Sequence, residues 1–435
     1  MKYALLIFTI FLSLQSFSQV WSHSRDWSGQ DELNFQTWVQ NQWQADIYAR
    51  TQLPNGQKNP YYGLRADCAD TVYSMRIIYS FENSLPFQMQ DPSGGGGVIS
   101  NQMKRFNGTS DPLQRFRQFL NYVWGVGSTA SIPNDTYPVA ISKSTVTSGG
   151  IIVTTHVNHH SWTIKNILPI GVPDLIFNSR VHKEGSFQLQ ERQSWPNPSW
   201  VFEGDFSPTS GAGLRYWKPT SSINKAAWQV PGYSEEQYRI PLKNWNSVVT
   251  AKLASSSEAP QAHLERLLKT VCEGFQSRIS VVQDAVTELK KNTACYDDAK
   301  YDEFSTPSRD QRVFDDLMEL RRVFEEILSK DPSQVSPELV TQLGKIYPYI
   351  NSPAKIEAQK MGAQISSQHS LCQIQYAEGK KIDLAEAKRR MFAGLMSNNP
   401  MDGSAERWGE KRGPSELASR CPSWDLWSPS FGDDL

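Results

Sequence analysis

Beyond Ser255, apolar residues recur at steps of three and four. Leu264, Leu268, Val271, Phe275, Ile279, Val282, Val286 and Leu289 lie on one stripe, which predicts a long amphipathic helix from about Gln261 to Lys291. A second is expected from Asp310 to Leu328, with Phe314, Leu317, Leu320, Phe324 and Leu328 turned inward. Shorter helices follow at Pro337–Ile346, Ala354–Gln364 and Leu384–Met396, so residues 256–435 read as an all-helical module. The charge-rich stretch Asp297 to Arg322 reads as a solvated helix face, and Arg412 to Leu435 as irregular chain.

The amino-terminal part has a different rhythm. Phe35, Trp38, Val39, Trp43 and Ile47 predict a helix within Asp31 to Arg50. Asp67 to Asn83 is mostly apolar and predicts a central helix, and Arg115 to Trp124 a short one. From about Pro138, short runs of Val, Ile, Ser and Thr take over. Gly150–His156 and His160–Ile167 read as strands joined by a turn, with further strands at Leu175–Val181 and Ser199–Glu203. Gly204–Trp217, with its Pro and several Gly, reads as an ordered loop. The expected fold class is α+β over residues 19–255, a helix packed on a small antiparallel sheet, followed by the helical module.

Charge and composition narrow the function classes. Lys plus Arg is 44 against 45 for Asp plus Glu, so no basic field points to nucleic acid. Met1-Lys2, the apolar run Tyr3 to Leu14 and the small residues Ser16 and Ser18 fit a signal peptide over residues 1–18, cut before Gln19. The mature chain is therefore expected to be secreted or periplasmic, with no membrane span. In an oxidising compartment the five cysteines leave at least one unpaired, and Cys68, alone in the amino-terminal part, is the candidate free thiol. A continuous helix to Lys291 carries Cys272 about 28 Å from the helix end, too far for a return to Cys295. If the other four cysteines pair within the chain, Cys372 and Cys421 each take one of those two.

Arg65-Ala66-Asp67-Cys68-Ala69-Asp70 opens the central helix, with Asp67 as N-cap and Asp70 completing a capping-box pattern. Cys68 then lies in the first turn, where free N–H groups and the helix dipole favour a thiolate and could hold an oxyanion. The carboxylates of Asp67 and Asp70 act the other way. An imidazole would supply the base, and His160 alternates with Trp162 and Ile164 on one strand face. A buried helix on that face would bring Cys68 to His160. Asn178, or alternatively Asp174, is the expected third polar group.

Asp-Cys-Ala-Asp opening an apolar helix that ends at Ser84-Leu85-Pro86, with a later His-Ser-Trp-Thr-Ile strand, resembles the papain-like cysteine enzymes of bacteria. The His-x-Trp of His160 and Trp162 is similar to the transglutaminase-like branch, and the general layout to NlpC-type cell-wall peptidases. The resemblance covers roughly Tyr61 to Val181. It implies a thiol hydrolase or acyltransferase in which Cys68 attacks an amide, His160 is the base and no cofactor takes part. Peptidoglycan stem peptides or periplasmic proteins are the implied substrates, and the helical module offers a surface for a protein partner. The alternative is a non-catalytic secreted interaction protein on the same scaffold.

Overall fold

A computed structural model describes residues 19–155, 159–178, 188–291, 294–360 and 372–422. The expected signal peptide lies outside the described residues, as do parts of the turn before His159 and most of the chain beyond Cys421. No helix among the described residues is long and apolar enough to cross a membrane.

Ser28 and Asp67 each exchange hydrogen bonds with an aspartate three residues on, and these capping boxes start α1 (Gly29–Asn41) and α2 (Cys68–Glu82). Every residue of α2 from Ala69 to Ser80 is buried, so this helix is central on all sides. Its polar side chains are satisfied internally. Thr71 and Ser74 donate to carbonyls four residues back, at 2.6 Å each, and Tyr73 donates to Asp135 at 2.7 Å. The Arg76 guanidinium meets Glu32 with two N–H groups and lies 3.4 Å from the Trp27 ring centroid. A short hairpin, β1 (Gln88–Gln90) and β2 (Val98–Ser100), leads to α3 (Pro112–Val126), which starts on the Asp111 side chain.

After the single turn α4 (Ile132–Asp135) the chain builds an antiparallel sheet. Its strands are β3 (Thr136–Pro138), β4 (Ile151–Thr154), β5 (His160–Ile167), β6 (Pro173–Phe177), β7 (Gln190–Arg192) and β8 (Gly213–Trp217). They lie in the order β3-β8-β4-β5-β6-β7. Between β7 and β8 stands α5 (Pro198–Val201), where the expected strand at Ser199–Glu203 is replaced by a helical turn. Pro198 begins it and the Asn197 side chain caps it, and the apolar run Trp200-Val201-Phe202 carries no period that separates the two states. The loop expected over Gly204–Trp217 also needs correction, because its last five residues form β8 in the middle of the sheet. The α6 helix (Trp245–Leu253) closes this half.

Both sheet faces are covered. Ile151, Val153 and Ile176 pack into one apolar cluster with α1, α2 and α3. Ile152, Trp162, Ile164, Leu175 and Phe177 pack into a second with Trp245, Val249 and Leu253 of α6. Gly171, at φ +81°, turns the chain from β5 to β6 directly against α6. A Cβ there would stand 2.1 Å from the Thr250 carbonyl oxygen, so only glycine fits.

The remainder is built on α7 (Pro260–Lys291), α8 (Asp298–Phe304) and α9 (Pro307–Lys330), followed by α10 (Pro337–Ile346) and α11 (Pro353–Lys360). The all-helical expectation fails at one place. Ile374–Ala377 and Lys380–Ile382 form a hairpin, β9 and β10, which turns at Gly379 (φ +67°) and buries Ile374, Tyr376 and Ile382. Then come α12 (Leu384–Phe392), α13 (Ser404–Arg407) and α14 (Glu416–Arg420). Disulfides join Cys272 to Cys372 and Cys295 to Cys421, one of the two pairings that the long helix allows. Bonds of this kind persist in oxidising compartments.

The charged stretch before Arg322 is not a solvated face throughout. Asp310 is buried and takes the fully buried Arg278 guanidinium at 2.8 Å. Asp315 accepts from Asn197 at 2.7 Å, and Asp316 pairs with Arg192 at 2.5 Å, so this side of α9 docks on the strand half.

Candidate active site

Cys68 is the first residue of α2 and the only free cysteine among the described residues. Asp70 N–H donates to the Asp67 side chain at 2.8 Å, and Asp67 N–H donates back to Asp70 at 3.0 Å. These bonds fix the first turn. The Ser161 hydroxyl donates to the Cys68 carbonyl at 3.0 Å and so clamps that turn to β5. The Asn178 amide donates to the Ala66 carbonyl just before the helix. Cys68 and Asn178 are thus brought to one place, at the end of β5 and β6 that meets the start of α2.

The electrostatics of this place keep the sulfur protonated. Burial pushes the Cys68 thiol up to about 12, and the Asp67 carboxylate adds to the shift. The N–H groups of Ala69 and Ser161 work against it, more weakly. Burial and the neighbouring Asp67 charge likewise raise Asp70 to about 8, so that carboxyl holds its proton at neutral pH. Burial, with the Asp67 charge behind it, therefore outweighs the N–H groups of the helix terminus.

His160 is not at this site. Thr154 pairs with His160 and Val153 with Ser161, so the two residues point to opposite faces. The Ser161 face takes α2. The His160 ring lies on the other, edge-on to Trp162 with centroids 4.4 Å apart, and beside Phe177 and Trp200 at 5.6 and 5.9 Å. Its Nε2 is buried without a hydrogen-bond partner. Burial, then the charges of Arg312 and Arg309, hold the imidazole well below its ordinary range. The expected Cys68–His160 pair is corrected for a simple reason: the apolar α2 covers the strand face of Ser161 and Thr163, not the face of Trp162 and Ile164.

Asp174 is also misplaced for the role. It sits four residues before Asn178 on β6, roughly 13 Å away at ~3.3 Å per residue, beside the charges of Lys165 and Glu191. The neighbouring histidine is His159. Carrying the alternation of β5 back one position puts it on the side of Ser161, and it is exposed. The signal was present in the doubled histidine of His159-His160, but its phase depends on which sheet face the helix covers.

Compared with protein-family models, with curated proteins and with solved structures, the chain matches none.

Proposed function

We propose that this chain is an exported cysteine hydrolase or acyltransferase acting on amide bonds, with Cys68 as nucleophile, His159 in place of His160 as base, and Asn178 as the polar third residue. The reading rests on one observation. The first turn of α2 is pinned to the ends of β5 and β6 by Ser161 and Asn178, on the strand face that the alternation of β5, carried back one residue, gives to His159. A free thiol at the start of a buried helix, beside an amide and a histidine-bearing strand end, has the parts that thiol acyl transfer uses.

In the proposed reaction the Cys68 sulfur attacks the carbonyl carbon while His159 takes the thiol proton. The N–H groups of Ala69 and Ser161, which already face the sulfur, steady the oxyanion. The C–N bond then breaks, and His159 returns the proton to the departing amine. Water or a second amine resolves the thioester, giving hydrolysis or transfer. Because the resting thiol is neutral, its proton leaves in the attacking step itself. Stem peptides of peptidoglycan or periplasmic proteins remain the substrates proposed, and the helical module the surface for a protein partner.

A second reading, a non-catalytic secreted protein, is favoured by the same thiol, since a sulfur raised to about 12 has the character of a buried structural cysteine. A thiol-directed activity probe read by mass spectrometry separates the two. The enzyme reading expects labelling that is abolished in Cys68→Ala, at least tenfold slower in His159→Ala and unchanged in His160→Phe. Equal labelling of His159→Ala and wild type would favour the second reading.

A further inference from the structure

Between the outer sheet face and the helical module lies a cavity of about 460 Å³, a size that suits a small ligand. Trp162 and Phe177 of the strand half form one wall. Arg309 and Arg312 of α9 line the other, one helical turn apart. The acidic groups of this cavity already have cations. Asp316 pairs with Arg192 at 2.5 Å, Glu191 with Lys165 at 2.8 Å, and Glu273 with Lys269 at 3.7 Å. Nearby Asp310 is taken by Arg278.

Arg312 is left over. Its guanidinium carbon lies 5.3 Å from the Trp200 ring centroid, and no hydrogen bond or ion pair joins the group among the described residues. Burial, and then repulsion from Arg309 and Arg192, works against its charge. A buried guanidinium that faces a half-open cavity, with two aromatic rings in the lining and no carboxylate bonded to it, is unfavourable unless an anion joins it. His160 adds a second sign. It is buried at 6% exposure with an unpartnered Nε2, and the charges it feels are those of Arg312 and Arg309.

We propose that this cavity binds a small organic carboxylate with an apolar or aromatic body, its two oxygens on the Arg312 guanidinium with Arg309 beside it and its body against Trp162 and Phe177. A planar two-oxygen anion matches the guanidinium fork, and the aromatic walls suit a body that a bare inorganic anion lacks. A single negative charge answers the Arg312 cation, which has no carboxylate bonded to it among the described residues. Asn178 also lines the cavity, so its rim reaches the proposed Cys68 site, while its aromatic wall is the sheet face turned away from α2.

The test is a fluorescence titration of the full chain with benzoate, since Trp162 and Trp200 border the site. Saturable quenching is expected for the wild type, with affinity at least tenfold weaker in Arg312→Gln and intermediate in Arg312→Lys, which keeps the charge and loses the fork. Benzyl alcohol and inorganic phosphate are expected to bind the wild type at least tenfold more weakly than benzoate. Circular dichroism checks that each variant is folded, and the wild-type comparison of the three probes stands even if Arg312→Gln is not. The assignment is overturned if benzoate does not saturate, if a folded Arg312→Gln binds it as the wild type does, or if phosphate competes on equal terms.

Discussion

The Ser161 hydroxyl donates to the main-chain carbonyl of Cys68 at 3.0 Å, joining two residues 93 positions apart. That bond fixes which strand face belongs to the helix. One position earlier the His160 ring is committed to the opposite face, among Trp162, Phe177 and Trp200. A sheet covered on both sides separates neighbours in sequence completely, and the chemistry available to Cys68 follows from that parity.

His160→Phe follows directly. The substitution keeps an aromatic ring in the packed site and removes a buried nitrogen that has no partner. Stability should hold or rise by about 1 kcal/mol. Urea unfolding checks it, and a clear loss would mean that Nε2 makes a bond essential to the fold.

Asp67→Asn keeps an oxygen for the helix cap and removes the carboxylate that helps to keep the Cys68 thiol protonated. Alkylation of Cys68 by iodoacetamide at pH 8 should become about three- to tenfold faster, the change that half to one pKa unit gives. An unchanged rate would show that burial alone controls the sulfur.

Asp70 gives a pH dependence of definite sign. Its carboxyl is raised to about 8 in the folded chain and titrates near ~3.9 when unfolded. The folded state thus binds this proton more tightly, and the stability it contributes is complete below about pH 4 and is lost as pH rises to about 8. Asp70→Asn cannot ionise. Relative to wild type it should be little changed at pH 4 and more stable at pH 8.5, by up to the ~5 kcal/mol that a shift of about four pKa units carries. Parallel unfolding curves for the two proteins across that range would contradict the raised carboxyl.

Replacing Cys272 and Cys372 together by alanine opens a loop with a sequence separation of 100 residues. The helical module should lose about 2–5 kcal/mol. Denaturant unfolding followed by far-ultraviolet circular dichroism should show the loss in the helical signal, and wild type treated with reductant should move in the same direction.

The sequence was most legible where the pattern was long. The stripe from Leu264 to Leu289 gave α7, and Phe314 to Leu328 gave α9, because a 3.6-residue period repeated over many turns has no competing interpretation. The capping residues of α2 were readable for the same local reason. The excluded Cys272–Cys295 pair followed from helix length alone. Short elements were not legible. Leu214-Arg215-Tyr216-Trp217 sits behind two glycines, and only its neighbours β3 and β4 make it a strand. Ile374-Gln375-Tyr376 is too brief to signal a hairpin. At the candidate site, the start of α2 at Cys68 was legible from its own capping residues. His160 was expected on the α2 side and lies on the other, because its facing depends on a packing choice between distant segments. Arg312 escaped because a charged helix face looks the same in sequence whether water or another domain covers it.

The cross-links Cys272–Cys372 and Cys295–Cys421 interleave along the chain instead of nesting. A protease that cuts the backbone once anywhere between residues 296 and 371 therefore breaks into both covalent rings at the same time, and both bonds still span the cut. The nicked protein would run as one species on a denaturing gel until reductant is added, and then as two.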